Sequence, residues 1–160
     1  MNNNSNSNRR KFIKNSALTL SAFTIVPRHV LGGKGFTAPS SKLNMVCIGV
    51  GGKGRGDVKG VSSENILALC DVDQKRAQET FDAYPDARQY QDFREMFDKE
   101  TDIDAVTIST PDHTHAPATM EALKRGMHVY TQKPLTRTIA ESRELETVAR
   151  KKGVATQMGN

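Results

Sequence analysis

The chain of 160 residues is long enough for one domain with a substantial core, and 36 % hydrophobic and 26 % charged residues indicate a globular body. The net charge of +5 is small and scattered, without aromatic residues among the cations, which argues against nucleic acid as a partner. The two cysteines, Cys47 and Cys70, are too few for a disulfide framework and have no metal-ligand spacing, so we expect buried, reduced thiols and no metal site.

The N-terminal segment has the layout of an export signal. Residues 1–8 are almost all Asn and Ser, a basic run with Arg9 and Arg10 follows, and a modestly apolar stretch covers 17–26. The order Arg-Arg-x-Phe-Ile-Lys at 9–14 is typical of a twin-arginine signal, which exports already folded bacterial proteins. An ordinary basic, disordered N-terminus is the alternative.

This leader predicts export, to the periplasm through the twin-arginine machinery. No Ala-x-Ala cleavage site is evident, so the segment is either cut near 21–26 or kept as a membrane anchor. There is no apolar run of about 18 residues, which argues against a permanent membrane-spanning helix. The stretch 29–41 is rich in Gly, Ser and Pro, so we assign 1–41 to a leader and linker.

From residue 42 onward, apolar runs alternate with helical patterns. The predicted strands are 43–48, 65–70, 88–90, 103–109, 127–131 and 154–158, and the predicted helices are 54–61, 74–84, 92–97, 115–125 and 138–152. This alternation predicts an α/β fold, a Rossmann-type doubly wound parallel sheet, whose strands are apolar because helices cover both faces. Residues 42–160 are therefore expected to form one domain of this type.

Capping residues mark the predicted helix ends. The N-caps are Asp73, Asp92 and Thr138, the last in a capping box with Glu141, and the C-terminal stops are Gly126 and Gly153. In the last helix, Ile139, Leu145 and Val148 are expected to face the core.

A glycine-rich turn follows the first predicted strand. Residues 49–54 read Gly-Val-Gly-Gly-Lys-Gly, a G-x-G-x-x-G pattern between a strand and a helix. Gly49 allows the tight turn, Gly51 lets a pyrophosphate approach the backbone, and Gly54 lets helix and strand pack closely. With Gly52 and Lys53, they place phosphates at a helix N-terminus, where unpaired N–H groups bind anions.

Asp71 is the predicted ribose partner. It lies 20 positions after Gly51, at the end of the second strand, where a carboxylate accepts hydrogen bonds from ribose hydroxyls. Because that carboxylate repels a 2′-phosphate, we expect NAD rather than NADP, although the nearby Arg76 weakens the preference. Two alternatives stay open: Asp71 is only a turn residue beside Asp73, or the site takes an S-adenosyl cofactor.

Four motifs, in order, resemble the N-terminal nucleotide domain of the Gfo/Idh/MocA oxidoreductases, a family with glucose–fructose oxidoreductase and inositol dehydrogenases. They are GVGGKG at 49–54, CDVD at 70–73, TPDHTH at 110–115 and QKPL at 132–135. The resemblance covers 42–160, about three quarters of the chain, and implies that these residues are a dinucleotide-binding domain truncated on its C-terminal side.

The resemblance implies roles for the matched positions. Thr110, Pro111 and His115 would line the cofactor near its nicotinamide end, while His113 is read as a polar loop residue. Lys133 would be the catalytic residue, contacting the nicotinamide ribose and the reacting oxygen and assisting proton transfer; the alternative is an exposed loop lysine. Pro134 would fix the local backbone, through a cis peptide bond as in the family.

The chain departs from the family in two respects. Gln132 stands where Glu is usual, so Lys133 would lie in a less negative environment. Family members also continue into a second domain, which supplies the catalytic His, most substrate contacts and the oligomer interface. None of that domain is present, so we expect this chain to bind nucleotide without completing a substrate site, and to form a homo-oligomer only with that domain.

Three functions follow as hypotheses. The first is an NAD(P)-dependent oxidoreductase that acts on a sugar or polyol by hydride transfer, with its cofactor loaded before export. The second is a glycoside-cleaving enzyme that uses NAD for a transient oxidation. The third is a non-catalytic nucleotide-binding module.

Overall fold

The computed structural model describes residues 28–33 and 37–160, and the chain divides into two compact units, 1–41 and 42–160. In the first unit, a single helical turn, α1, spans Arg28–Leu31, and a 3-10 turn spans Pro39–Ser41, where an irregular linker was expected. Neither turn is long enough to present a core face. The predicted twin-arginine leader lies almost entirely outside the described residues and stays a prediction.

The second unit is a doubly wound α/β fold. Its strands are β1 (Asn44–Ile48), β2 (Asn65–Cys70), β3 (Arg88–Tyr90), β4 (Ala105–Ile108), β5 (His128–Thr131) and β6 (Thr156–Met158). Its helices are α2 (Lys53–Gly60), α3 (Gln74–Ala83), α4 (Phe93–Lys99), α5 (His115–Lys124) and α6 (Ile139–Lys152). All strand pairs are parallel, in the order β3-β2-β1-β4-β5-β6. This is the Rossmann order, so the predicted fold class is confirmed.

Two buried clusters lie on opposite faces of the sheet. Val46 and Ile48 of β1 pack in one cluster with residues of α4, α5 and α6, while Cys47 between them packs in the other with α2 and α3. Alternate residues of a strand point to opposite faces, so helices cover both. Both cysteines are free and buried, as predicted.

The edge strand β6 departs from the expectation that every strand is buried. All three of its residues are exposed, because β6 pairs with β5 on one side only. No helix within the described residues has both the length and the apolar character that a membrane span requires.

The predicted caps are confirmed. Asp73 and Asp92 accept hydrogen bonds from Arg76 N and Arg94 N at the starts of α3 and α4. The capping box of Thr138 and Glu141 opens α6, and Gly153 ends it in a left-handed conformation.

The core face of α6 was predicted wrongly at Ile139, which is 73 % exposed. Leu145 and Ala149 are buried and Val148 is half-buried, so the core face centres on these three residues. At about 100° per residue, Ile139 lies about 120° around the helix from Leu145, on a different face.

Candidate functional site

A cleft of about 590 Å³ opens at the carboxyl ends of β1, β2 and β4. The chain leaves β1 toward β2 on one side and returns to β4 on the other, which makes this edge the topological switch point where α/β sheets bind ligands. The lining comes from the glycine turn, the end of β2, the start of α3 and the loop after β4. It includes Gly49, Gly51, Lys53, Asp71, Val72, Asp73, Arg76, Ser109, Thr110, Pro111 and His113.

Close backbone packing explains two glycines of the turn. Gly49 has a φ of +77°, and a Cβ there would lie 2.7 Å from the Ser109 carbonyl carbon and from Thr110 N. A Cβ on Gly54 would lie 1.6 Å from the Gly49 carbonyl oxygen. A side chain at either position would push α2 or the end of β4 away from β1.

Arg76 of α3 lies across the middle of the turn. A Cβ on Gly51 would meet Arg76 Cγ at 2.8 Å, and one on Gly52 would meet Arg76 Nη2 at 2.8 Å. Thr80, one turn further along α3, donates a hydrogen bond of 2.8 Å to the Val50 carbonyl. The structure thus brings Arg76 to the glycine turn, and Thr80 adds a contact that the sequence analysis missed.

The Asp71 carboxylate holds the turn while lining the cleft. Its Oδ2 accepts hydrogen bonds from Val50 N at 2.9 Å and Gly51 N at 3.0 Å. Its Oδ1 accepts one from Asp73 N at 2.9 Å. The turn role considered for Asp71 is therefore present in the structure, alongside its place in the cleft wall.

The loop after β4 forms the opposite wall. Thr110 Oγ1 is a buried polar atom that has no hydrogen-bond partner among the described residues. A buried hydroxyl without a partner is costly, and Thr110 is one of the residues that line the cleft, where a ligand could supply a partner. Pro111 and His113 also line this wall.

His115 lies beneath that wall and not on it. Its side chain is 1 % exposed, and its ring nitrogens lie 2.6 Å from the Pro134 carbonyl and 2.7 Å from the Thr110 carbonyl. His113, and not His115, is therefore among the residues that line the cleft. As the first residue of α5, His115 points into the core and joins the loop after β4 to the loop after β5.

Lys133 is exposed on the loop after β5, followed by a cis peptide bond to Pro134. It is outside the residues that line the cleft, so the structure does not bring it to the glycine turn. Its neighbour Gln132 is buried and hydrogen-bonded.

The sequence analysis also missed Asp57, on the second turn of α2. Its side chain is 9 % exposed and contacts Lys53 Nζ at 3.0 Å. Ser109 Oγ donates to Asp57 Oδ2 at 2.7 Å, and Gln132 Nε2 donates to the same oxygen at 2.9 Å. The i,i+4 spacing from Lys53 was readable, but the other two partners are 52 and 75 residues away.

The residues fit a nicotinamide dinucleotide. The N-terminus of α2 adjoins the cleft at Lys53, where free backbone N–H groups can bind a pyrophosphate, and Thr110 Oγ1 has no hydrogen-bond partner among the described residues. Burial raises the pKa of the Cys47 thiol to about 11 and that of Cys70 to about 12, so both are neutral and unreactive at pH 7. In 28–33 and 37–160, no three His, Cys, Asp or Glu side chains group as metal ligands.

Comparisons with known proteins agree with this geometry. The model of the oxidoreductase family with an NAD-binding Rossmann fold, Gfo/Idh/MocA, matches residues 43–160. A glycosyl hydrolase family 109 protein of Shewanella pealeana is 31 % identical over 84 % of this chain and 35 % of its own length. An inositol 2-dehydrogenase of Salmonella typhimurium is 30 % identical over 58 % of this chain and 28 % of its own length.

A solved structure gives the same match for the fold. An NAD-binding oxidoreductase from Klebsiella pneumoniae superposes with a TM-score of 0.65 at 29 % identity, over 74 % of this chain and 34 % of that one. The chain thus spans about a third of the length of the relatives it matches. The family match covers the whole of the doubly wound unit and its cleft. The chain therefore belongs to the Gfo/Idh/MocA oxidoreductase family, and residues 43–160 form its nicotinamide-dinucleotide-binding Rossmann domain.

Proposed function

We propose that this chain binds NAD in the cleft and is the nucleotide-binding part of an oxidoreductase that acts on a sugar or polyol by hydride transfer. The observation that carries the proposal is the convergence of the glycine turn, Asp71 and the unpartnered Thr110 hydroxyl on one cleft at the switch point. The bound nicotinamide supplies the hydride acceptor or donor.

Different residues around the cleft contact different parts of the dinucleotide in this proposal. The amides at the start of α2, from Gly52 and Lys53, hold the pyrophosphate, with the Arg76 guanidinium beside the same turn. Asp71 accepts from the adenosine ribose, and Thr110, Pro111 and His113 form the wall toward the nicotinamide.

Lys133 is proposed to move a proton at the substrate oxygen. Its exposure at the carboxyl end of β5 leaves the ammonium free to reach a substrate held by a further domain. The support is its place in the Gln-Lys-Pro motif directly after a strand that borders β4.

NAD is favoured over NADP because the Asp71 carboxylate would meet a 2′-phosphate, although Arg76 offers a cation on the same wall. Mass spectrometry of nucleotide released from the purified protein tests this choice. We expect NAD or NADH, whereas recovery of NADP or S-adenosylmethionine would contradict the proposal.

The proposed substrate class draws on the inositol 2-dehydrogenase relative, and the glycosyl hydrolase family 109 relative favours a second candidate, glycoside cleavage through a transient oxidation. A protein that carries this chain with its substrate domain would be assayed on polyols and glycosides. NADH accumulation with polyols supports hydride transfer, and glycoside cleavage without NADH accumulation supports the second candidate.

We also propose export through the twin-arginine route, on the strength of Arg9, Arg10 and the motif that follows. Residues 1–41 fused to a reporter protein should direct it to the periplasm. A variant with Arg9→Lys and Arg10→Lys should stay in the cytoplasm, and periplasmic reporter from that variant would contradict the assignment.

A further inference from the structure

Gln132, the residue that follows β5, has a hydrogen-bond partner in α2. Gln132 is 6 % exposed, and its Nε2 donates to Asp57 Oδ2 at 2.9 Å and to the Tyr130 hydroxyl at 3.3 Å. A Glu side chain at position 132 would place a second carboxylate against that of Asp57, in a site almost closed to water. Two carboxylates within hydrogen-bond distance of each other cannot both stay ionised without a large cost in folding free energy. An amide at 132 and a carboxylate at 57 are therefore matched to each other.

The Asp57 carboxylate joins two elements that line the cleft, the start of α2 and the loop after β4, to the loop after β5. Lys53 belongs to the start of α2, Ser109 is the last residue before the Thr110 wall, and Gln132 precedes Lys133. Ser109 N also donates to Ile48 O, and Gln132 N donates to Ile108 O, which holds both residues in register with the sheet. The Asp57 carboxylate thus ties the first half of α2 to the residues that directly follow β4 and β5.

We propose that Asp57 is a positioning residue: acting through Ser109 and Gln132, it holds the loops after β4 and β5 against the glycine turn, and its carboxylate requires an uncharged partner at position 132. The role in cofactor binding rests on the proposed function. The matching of charge between positions 57 and 132 does not depend on it.

Among the described residues, the side-chain partners of the Asp57 carboxylate are Lys53, Ser109 and Gln132, none of which is an acid. Lys53 faces it from its own helix and Tyr130 lies beyond Gln132 on β5. Cys47 faces it from β1, with a thiol whose pKa is raised to about 11, mainly by burial and further by the Asp57 charge. The Cys47 thiol stays neutral at pH 7, so among the described residues Lys53 alone would offset a second carboxylate at 132.

A charge exchange between the two positions tests the proposal. We would measure melting temperatures from pH 5 to 8 and NAD affinity for the unmodified chain, Asp57→Asn, Gln132→Glu and the double variant. Asp86→Asn, which removes an exposed carboxylate before β3, is the matched control. Gln132→Glu should lower the melting temperature by roughly 5 °C or more at pH 8. This loss of melting temperature should be smaller at pH 5 than at pH 8. The two carboxylates at 57 and 132 bind a proton more tightly in the folded variant than in the unfolded chain, so the variant loses stability as the pH rises.

The double variant should recover at least half of that loss, since an amide again faces a carboxylate. Asp57→Asn should lower NAD affinity about fivefold or more, while Asp86→Asn leaves it unchanged. The charge matching would be overturned if the double variant lost as much melting temperature as the two single variants together. It would also be overturned if the loss of melting temperature in Gln132→Glu did not change with pH. Unaltered NAD affinity in Asp57→Asn would overturn the positioning role. If the unmodified chain binds no NAD, the proposed function and the positioning role both fail, and the melting temperatures alone decide the charge matching.

Discussion

At the scale of single residues, the Asp71 carboxylate has two roles. It accepts hydrogen bonds from Val50 N and Gly51 N, which organise the glycine turn, and it lines the cleft where a ribose would lie. Removal of the side chain would therefore disturb the turn for any nucleotide, and Asp71→Ala would weaken NAD and NADP alike. A substitution that keeps an acceptor oxygen separates the two tasks.

Asp71→Asn is that substitution. It retains an oxygen for the turn amides but removes the charge that favours ribose hydroxyls and repels a 2′-phosphate. We expect the ratio of NAD to NADP affinity to fall about tenfold, a change of about 1.4 kcal/mol. Calorimetric titration with both nucleotides measures the ratio, and equal weakening of both would argue against a ribose contact.

Thr110 gives a second test at this scale, because its Oγ1 has no partner in the described structure. Thr110→Val keeps the shape and removes the hydroxyl, so the free energy of unfolding should stay constant or rise by about 1 kcal/mol. NAD affinity should nevertheless fall by about five- to tenfold, because the bound cofactor loses a hydrogen bond. Urea unfolding and titration measure the two effects; full retention of affinity would remove Thr110 from the site.

At the scale of elements, the packing of α2 on β1 depends on Gly54. A Cβ there would lie 1.6 Å from the Gly49 carbonyl oxygen, whereas one on Gly56 in the same helix would meet nothing within 4 Å. Gly54→Ala should lower the free energy of unfolding by about 2 kcal/mol or more through backbone displacement. Gly56→Ala should raise it by about 0.5–1 kcal/mol through helix propensity. Urea unfolding measures both, and equal effects would contradict the close packing.

The end of α4 is tied to β3 by an acid that should make stability depend on pH. Glu100 is buried, and it accepts hydrogen bonds from Arg88 and from the Tyr90 hydroxyl. The Arg88 guanidinium, more than the Tyr90 hydroxyl, holds the pKa of Glu100 below its ordinary value. A folded-state pKa below the unfolded one stabilises the fold above pH about 4.3, and the contribution is lost as pH falls through the folded value.

Glu100→Gln should therefore be less stable than the unmodified chain at pH 7, by about 1–2 kcal/mol. The difference should begin to shrink below pH about 4.3, where the unfolded chain takes up a proton at this position, and should be lost as pH falls through the lowered pKa of the folded Glu100. Unfolding by urea at pH 7, 5 and 3 follows this change. A constant difference across the three pH values would mean that the carboxylate charge contributes nothing.

The sequence predicted elements better than it predicted contacts between them. Apolar runs and caps such as Asp73 placed the strands and helix starts, because these signals are local. Ile139 was misplaced because apolar character alone does not show which face of a helix meets the sheet. The ties of Asp57 to Ser109 and Gln132 could not be predicted, since they join residues that only the folded sheet brings together.

At the scale of the whole molecule, the doubly wound sheet offers one dinucleotide cleft at its switch point. The chain spans about a third of the length of its relatives, so the residues that it contributes are those of the nucleotide side. The proposed chemistry therefore depends on the claim that this chain binds NAD.

Isothermal titration calorimetry of this chain with NAD tests that claim most directly. We expect saturable binding of about one NAD per chain, with a dissociation constant between roughly 1 µM and 1 mM. Gly51→Val, whose Cβ would meet Arg76 Cγ at 2.8 Å, should abolish the binding heat. Absence of binding by a folded, unmodified chain, or unchanged binding by Gly51→Val, would contradict the assignment of this cleft to NAD.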